Sequence, residues 1–248
     1  MKDIKELFEE RRSIRRYERE SIPDVAMETI YAAIRNTPTS YNGQQFSVID
    51  IDDQELKEKI YDITSQKQIK TCNRFLVFCA DYNKIGELAK EKHLNVPMFK
   101  DTLDGVMVGV IDAAMAMESA VIAAEVCGLG SCCVGYTRTA EPTKIAELLK
   151  LPKGVFVVCG LAIGIPRERP DLKPKQSINL LIHRNHYRGD GMAKELLEYD
   201  KEVTKFNQNR VGGTSDNDWC AHILDYYRMA LQYKMKDYIV EQGCDIIK

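Results

Sequence analysis

No ready-made catalytic motif is present in this chain. HExxH, the P-loop and GxSxG are all missing, which excludes the usual zinc-peptidase, phosphate-loop and α/β-hydrolase centres. Histidine is scarce, four in 248 residues. His183 and His186 lie three apart but bring no further ligand with them, so no metal site is expected. None of the eight cysteines forms a CxxC pair or has a histidine at zinc-finger spacing. They read as reduced thiols packed as small hydrophobes, not as a disulfide framework. A large excess of one charge is missing too: the formal net charge is −2 and the pI is near 6.1. That balance argues against a general nucleic-acid binder. The opening MKDIKELFEERR is amphipathic and lacks a signal-peptide core, so a cytoplasmic protein is expected.

The composition is that of a globular protein long enough to bury a sizeable core. Residues 2–12 read as a short helix with Ile4, Leu7 and Phe8 on one face. "SIPDVAMETIYAAIRN" reads as a second helix, with Ser21 as cap, Pro23 in the first turn and Ile30, Ala33 and Ile34 inward. "TPTSYNG" is turn chemistry. "QFSVIDID" is a strand, "DQELKEKIYDIT" a helix with Leu56, Ile60 and Ile63 inward, and "RFLVFCADY" a buried strand. Residues 82–102 read as a charged surface excursion.

A helix apolar on most sides is expected over about 103–127. Asp104, Asp112, Glu118 and Glu125 interrupt it, which speaks against a membrane span. Such a helix belongs in a core or a subunit interface, and Gly105, Gly109 and Ala113 would let another helix approach closely. A short strand in "GLGSCCVGY", the helix "TKIAELLKL" and the strand "GVFVVCGLAIGIP" follow. Beyond about Met192 the chain reads as mostly helical, broken at "NRVGGTSDND". Alternating strands and helices predict one α/β or α+β domain over 1–248, with a mobile excursion near 192–218.

Two basic loops stand out. "RRSIRRYERE" puts five arginines into residues 11–20 of a nearly neutral chain. Arginine forks and the Ser13 hydroxyl suit phosphate oxygens. Lys173 and Lys175 form a second cluster about 160 residues later. Both could hold one anion, or both could be solvated surface charge. "GLGSCCVGY" follows a helix instead of opening one, unlike a dinucleotide fingerprint, although its glycines allow close approach to a flat ligand. With no nucleophile–base pair in sight, enzymatic chemistry would belong to a bound organic cofactor.

Taken in order, "RRSIRRY", "TPTSYNGQQFS", "VFCADYN", "GLGSCCVGY", "LLKLPKGVFVVCGLAIGIPRERPDLKPK" and a late "NR…DW" resemble the FMN-dependent nitroreductase family. Within it they match the nitroreductase A / NADPH-flavin oxidoreductase branch. The resemblance covers nearly the whole chain. It implies an α+β, three-layer fold with a mixed central sheet flanked by helices, in an intertwined homodimer that binds FMN at the subunit interface. It also implies ping-pong hydride transfer from NAD(P)H to FMN, then two-electron reduction of nitroaromatics, quinones or related small-molecule acceptors. Neither nucleic acid nor membrane is an expected partner.

By position in the motifs, Arg11, Arg12 and Ser13 would hold phosphate and ribityl oxygens, with Lys173 and Lys175 completing the phosphate clamp. Arg15 would face the pyrimidine edge and tune the flavin. Thr39, Ser40, Tyr41 and Gln66 would line the ring and ribityl chain, and Cys133, Val134, Gly135 and Tyr136 would lie against the isoalloxazine. Arg210 would contact the pyridine nucleotide. No side-chain acid or base is required.

Three positions depart from the branch. Position 11 is Arg where His is common, and Tyr136 stands where a small residue is usual. The loop "VGGTSDND" lacks the additional arginines of NADPH users, which implies comparable use of NADH. A flavin reductase or reductive dehalogenase of the same superfamily, and a low-turnover flavin-binding redox module using Cys132 and Cys133, are the alternatives.

Overall fold

The computed structural model describes residues 4–211 and 213–247. They divide into two compact units, one of Met1–Glu168 with Lys234–Lys248, the other of Arg169–Tyr233.

The first unit carries helix α1 (Ile4–Glu10), α2 (Asp24–Arg35), strand β1 (Phe46–Ile51), α3 (Gln54–Thr64), α4 (Lys67–Thr71) and β2 (Arg74–Asp81). It continues through α5 (Asn83–Glu91), α6 (Leu103–Val126), β3 (Gly130–Val134), α7 (Tyr136–Thr139), α8 (Pro142–Leu148) and β4 (Val155–Gly164). The second unit holds α9 (Ile178–Leu181), α10 (Met192–Asn209) and α11 (Trp219–Ala230). The chain then returns to the first unit as α12 (Met235–Glu241).

The four strands run in the order β1-β2-β4-β3. All three pairings are antiparallel, so the sheet is not mixed among the described residues; the parallel contact is an isolated bridge between Ser13 and Ser131. Both faces are covered, as the near-continuous apolar runs of β2 and β4 require. Leu76, Phe78 and Ala80 point to the side of α2 and α6, while Phe75, Val77 and Cys79 point to the side of Ile60, Ile69 and Ile145. Three layers result. A bulge opposite Phe78 and Cys79 lets β4 change which residues serve each face.

Helix boundaries follow local chemistry. Asp53 caps α3 by accepting from the Leu56 amide at 2.6 Å, and Thr102 caps α6 through the Gly105 amide at 3.0 Å. α2 starts two residues later than its sequence suggests: Pro23, not Ser21, occupies the cap position, and no side chain caps the helix. In α1 only Leu7 is buried, with Ile4 and Phe8 exposed; positions 2 and 3 of the expected helix lie outside the described residues. The charged stretch 82–102 is not simply an excursion, because it holds α5 and a 3-10 turn at Phe99–Asp101.

Gly105 and Gly109 of α6 make room for the preceding turn and for β2, while Ala113, Ala116 and Ala120 share a core cluster with α2. A Cβ on Gly105 would sit 2.0 Å from the Phe99 carbonyl oxygen, and one on Gly109 would sit 2.8 Å from Ala80 Cβ. The helix therefore lies close against β2 and the preceding turn. Its outer face is apolar as well, with Leu103, Met107, Ile111 and Met115 exposed at every fourth position.

In the second unit, α10 and α11 are joined by the Tyr199–Trp219 ring contact and by the Cys220 amide donating to Asp200 at 2.8 Å.

Candidate functional site

Residues 11–17 form an irregular arm held by two isolated bridges, Ser13 to Ser131 and Tyr17 to Pro166. Its burial pattern explains its composition: Ile14 and Tyr17 are each 5% exposed, while the two arginines between them, Arg15 and Arg16, face solvent. Burying two such side chains contributes about 1.5–3 kcal/mol each. The Ile14 amide donates to Ser131 O at 2.9 Å, Glu18 N donates to Ile165 O at 2.9 Å, and Tyr17 bridges Pro166. The arm thus covers part of β3, an edge strand. Two glycines make room for it. A Cβ on Gly130 would meet Ile14 at 2.7 Å, and one on Gly164 would meet Tyr17 at 2.7 Å. The Tyr17 hydroxyl lies 2.5 Å from Ile14 O and 3.2 Å from Ala162 O, and burial raises its pKa far above the usual range.

The arm presents Arg11, Arg12 and Ser13 half-buried. Arg12 Nε donates to Glu10 O at 3.0 Å. Glu168 accepts the Arg15 amide at 2.7 Å and pairs with Arg16 at 3.6 Å, which pins the backbone but leaves the Arg15 guanidinium facing outward. That guanidinium and Gln66 share one cavity of about 500 Å³. Its lining carries Arg15, Arg16, Lys67 and Arg167 and no carboxylate, with Tyr17 among its walls. In a chain of net charge −2, this is a local site for an anion or for developing negative charge.

Beside the arm, β3 runs into α7. Burial pushes the Cys132 thiol up, against the opposing pull of Arg15 and Arg11. Cys133 is exposed as a residue, yet atoms close around its sulfur, then Cys159 and Cys132, hold it at about 12. Neither is a ready thiolate at neutral pH. Val134 is buried, Tyr136 is half-buried, and a Cβ on Gly135 would meet nothing within 4 Å. Open space therefore lies over this turn.

Thr39, Ser40 and Tyr41 gather elsewhere, on a turn against α6. Ser40 N and Gln45 N donate to the two carboxylate oxygens of Asp112 at 3.0 and 3.2 Å. Asp112 has no exposed surface. Sequence reasoning used this acid only as an argument against a membrane span. The missed signal was its spacing: it lies three residues after Gly109 and four before Ala116, on the buried side of the helix, whereas Asp104 and Glu118 are exposed. In the second unit, Lys173 and Lys175 lie exposed in an irregular stretch before α9. Arg210 follows α10, its Nε donating to Gly213 O at 2.7 Å.

Residues 8–165 match the Nitroreductase family, and residues 173–246 match the Nitroreductase family, C-terminal domain. The chain is 32% identical over 250 residues to an FMN reductase [NAD(P)H] of Bacillus subtilis, covering all of both sequences. It is 35% identical over 213 residues to an oxygen-insensitive NADPH nitroreductase of Salmonella typhimurium, covering 86% of this chain and 85% of that one. Its fold superimposes on the structure of the hypothetical oxidoreductase YcnD from Bacillus subtilis with a TM-score of 0.95, at 32% identity and full coverage of both chains.

Proposed function

The chain belongs to the nitroreductase family, and from that premise we infer that it is an FMN-dependent NAD(P)H oxidoreductase. The observation that carries this reading is the arm, which sets arginines against β3 and brings Arg15 and Gln66 into a cavity whose charged lining residues are all cations. The donor set fits FMN. Arginine and serine donors suit a phosphate, a cationic cavity suits the electron-accepting end of a flavin, and the open space above Gly135 admits a flat ring.

FMN, when bound, supplies the redox chemistry: it takes a hydride from NAD(P)H and passes two electrons to a nitroaromatic, quinone or related acceptor. Arg11, Arg12 and Ser13 are proposed to hold its phosphate and ribityl oxygens, and on the second unit Lys173 and Lys175 to bind phosphate. Arg15 places positive charge where negative charge develops on reduction, and the Glu168 contact to its backbone fixes its origin. Gln66 and Thr39–Tyr41 supply polar edges. Cys133–Tyr136 would form the surface for the ring, and the raised pKa values of Cys132 and Cys133 keep both thiols protonated near neutral pH. Arg210 is proposed to meet the pyridine nucleotide. The protein is proposed to be cytoplasmic.

We further propose a homodimer. The arm and the 39–45 turn lie on separate parts of one chain, and the exposed stripe Leu103, Met107, Ile111, Met115 gives α6 a face for a second copy.

The test is the visible spectrum of the purified protein, followed anaerobically after NADH and then NADPH. Flavin bands that bleach with both nucleotides at comparable rates are expected. A colourless protein that cannot be reconstituted with FMN refutes the flavoenzyme reading. A large kcat/KM advantage for NADPH refutes comparable use of NADH, which rests on one arginine standing near Asp216 and Asp218 in the loop after α10.

A further inference from the structure

Asp112 is a carboxylate in a helix that is otherwise apolar around it, and it is fully buried. Such a group persists only where its oxygens are bonded. Its two partners are the amides of Ser40 and Gln45, the two ends of one turn. Between those ends Tyr41, Asn42 and Gln44 adopt φ of 58°, 53° and 51°. Residues with a Cβ seldom hold that left-handed conformation unless their surroundings impose it. Within the turn, Gly43 N donates to Ser40 O at 2.8 Å and Gln44 N to Thr39 Oγ1 at 3.2 Å. Tyr41 is thrust outward, 78% exposed, with one edge contact to Phe99.

We propose that Asp112 is a positioning residue that holds the 39–45 turn in its flavin-binding shape before FMN arrives. The proposal rests on the reading that Thr39–Tyr41 line the flavin. Only a carboxylate offers two acceptors at this distance. Asparagine would turn an NH2 group toward one of the two amides, donor against donor. One end of the turn would come loose, and FMN binding would have to restore the order that Asp112 now maintains. The loss therefore falls on affinity and not on hydride transfer once FMN is bound.

The experiment titrates apo-protein with FMN and follows quenching of flavin fluorescence. For Asp112→Asn the FMN Kd should rise about 10- to 100-fold. The rate at which NADPH reduces the FMN-saturated variant should stay within about threefold of wild type. Thr37→Val is the control: it deletes a 2.8 Å bond to Ser119 on the same helix without touching the turn. It should lower Tm and leave FMN affinity unchanged. If Thr37→Val loses FMN in proportion to its loss of Tm, or if Asp112→Asn binds FMN like wild type, the positioning role is overturned. Failure of the wild-type apo-protein to bind FMN overturns the flavoenzyme reading instead. Should Asp112→Asn not accumulate as folded protein, amide exchange in the wild-type apo-protein decides. Ser40 and Gln45 exchanging more slowly than Tyr41 support the clamp, and equal rates at all three refute it.

Discussion

Replacing Gly130 by alanine tests whether the arginine arm is seated by shape. The new Cβ would lie 2.7, 2.8 and 2.9 Å from Cγ1, Cβ and Cγ2 of Ile14. Carbon atoms at rest sit about 3.5–4.0 Å apart. Ile14 would have to retreat by roughly 1 Å, yet it is buried and its amide is bonded to Ser131 O at 2.9 Å. Overpacking of this kind costs about 1–3 kcal/mol, which for a chain of this length lowers Tm by about 2–12 °C. Because the displaced segment carries Arg11–Arg15, FMN affinity should fall about tenfold or more. Thermal melts of the apo-protein and FMN titration read the two effects separately. Ile14→Ala alone should cost about 2–5 kcal/mol by cavity formation. In the double variant the contacts to Cγ1 and Cγ2 are gone, the 2.8 Å contact to Cβ of residue 14 stays, and the added methyl fills part of the new cavity, so it should be about 0.5–2 kcal/mol more stable than the sum of the singles. Strict additivity, or a Gly130→Ala protein with wild-type melting and FMN affinity, would refute the reasoning.

Arg15→Ala removes a guanidinium that faces the cavity but leaves the Glu168 bond, which is made to the backbone. Anaerobic stopped-flow should show flavin reduction slowed about 10- to 100-fold with FMN Kd changed less than tenfold; normal reduction would remove Arg15 from its role. Met107→Lys places a charge in the exposed stripe of α6, three residues after Asp104, where the monomer tolerates it. Sedimentation should shift from dimer to monomer, and an unchanged dimer would show that the second copy sits elsewhere.

Much of the fold was legible because its signals are local. β2 and β4 announce themselves as apolar runs, and α3 by its period and its Asp53 cap. Ser21 misled because a serine before Pro23 looks like a cap whether or not its hydroxyl reaches an amide. The glycines of α6 misled because close approach can be to anything: a stripe of small residues states that something comes near, and here it is β2 and the Phe99 carbonyl. The glycines of "GLGSCCVGY" were read as room for a ligand. Gly135 has that room, but Gly130 makes space for Ile14.

Within the candidate site, residue types and order along the chain pointed to an anion-binding arm, a polar turn and a glycine-rich strand end, and their ordered resemblance pointed to one family. Residue chemistry and sequence spacing are enough for that, since arginine forks, turn formers and apolar periods act over a few residues. Folding alone set Ile14 and Tyr17 as the anchors that turn the arginines outward and put Arg15 beside Gln66 in a cavity without acids. It also closed Asp112 on a turn some seventy residues earlier in the chain. Those relations join groups far apart in sequence, and their energies depend on burial and distance, which no local pattern encodes.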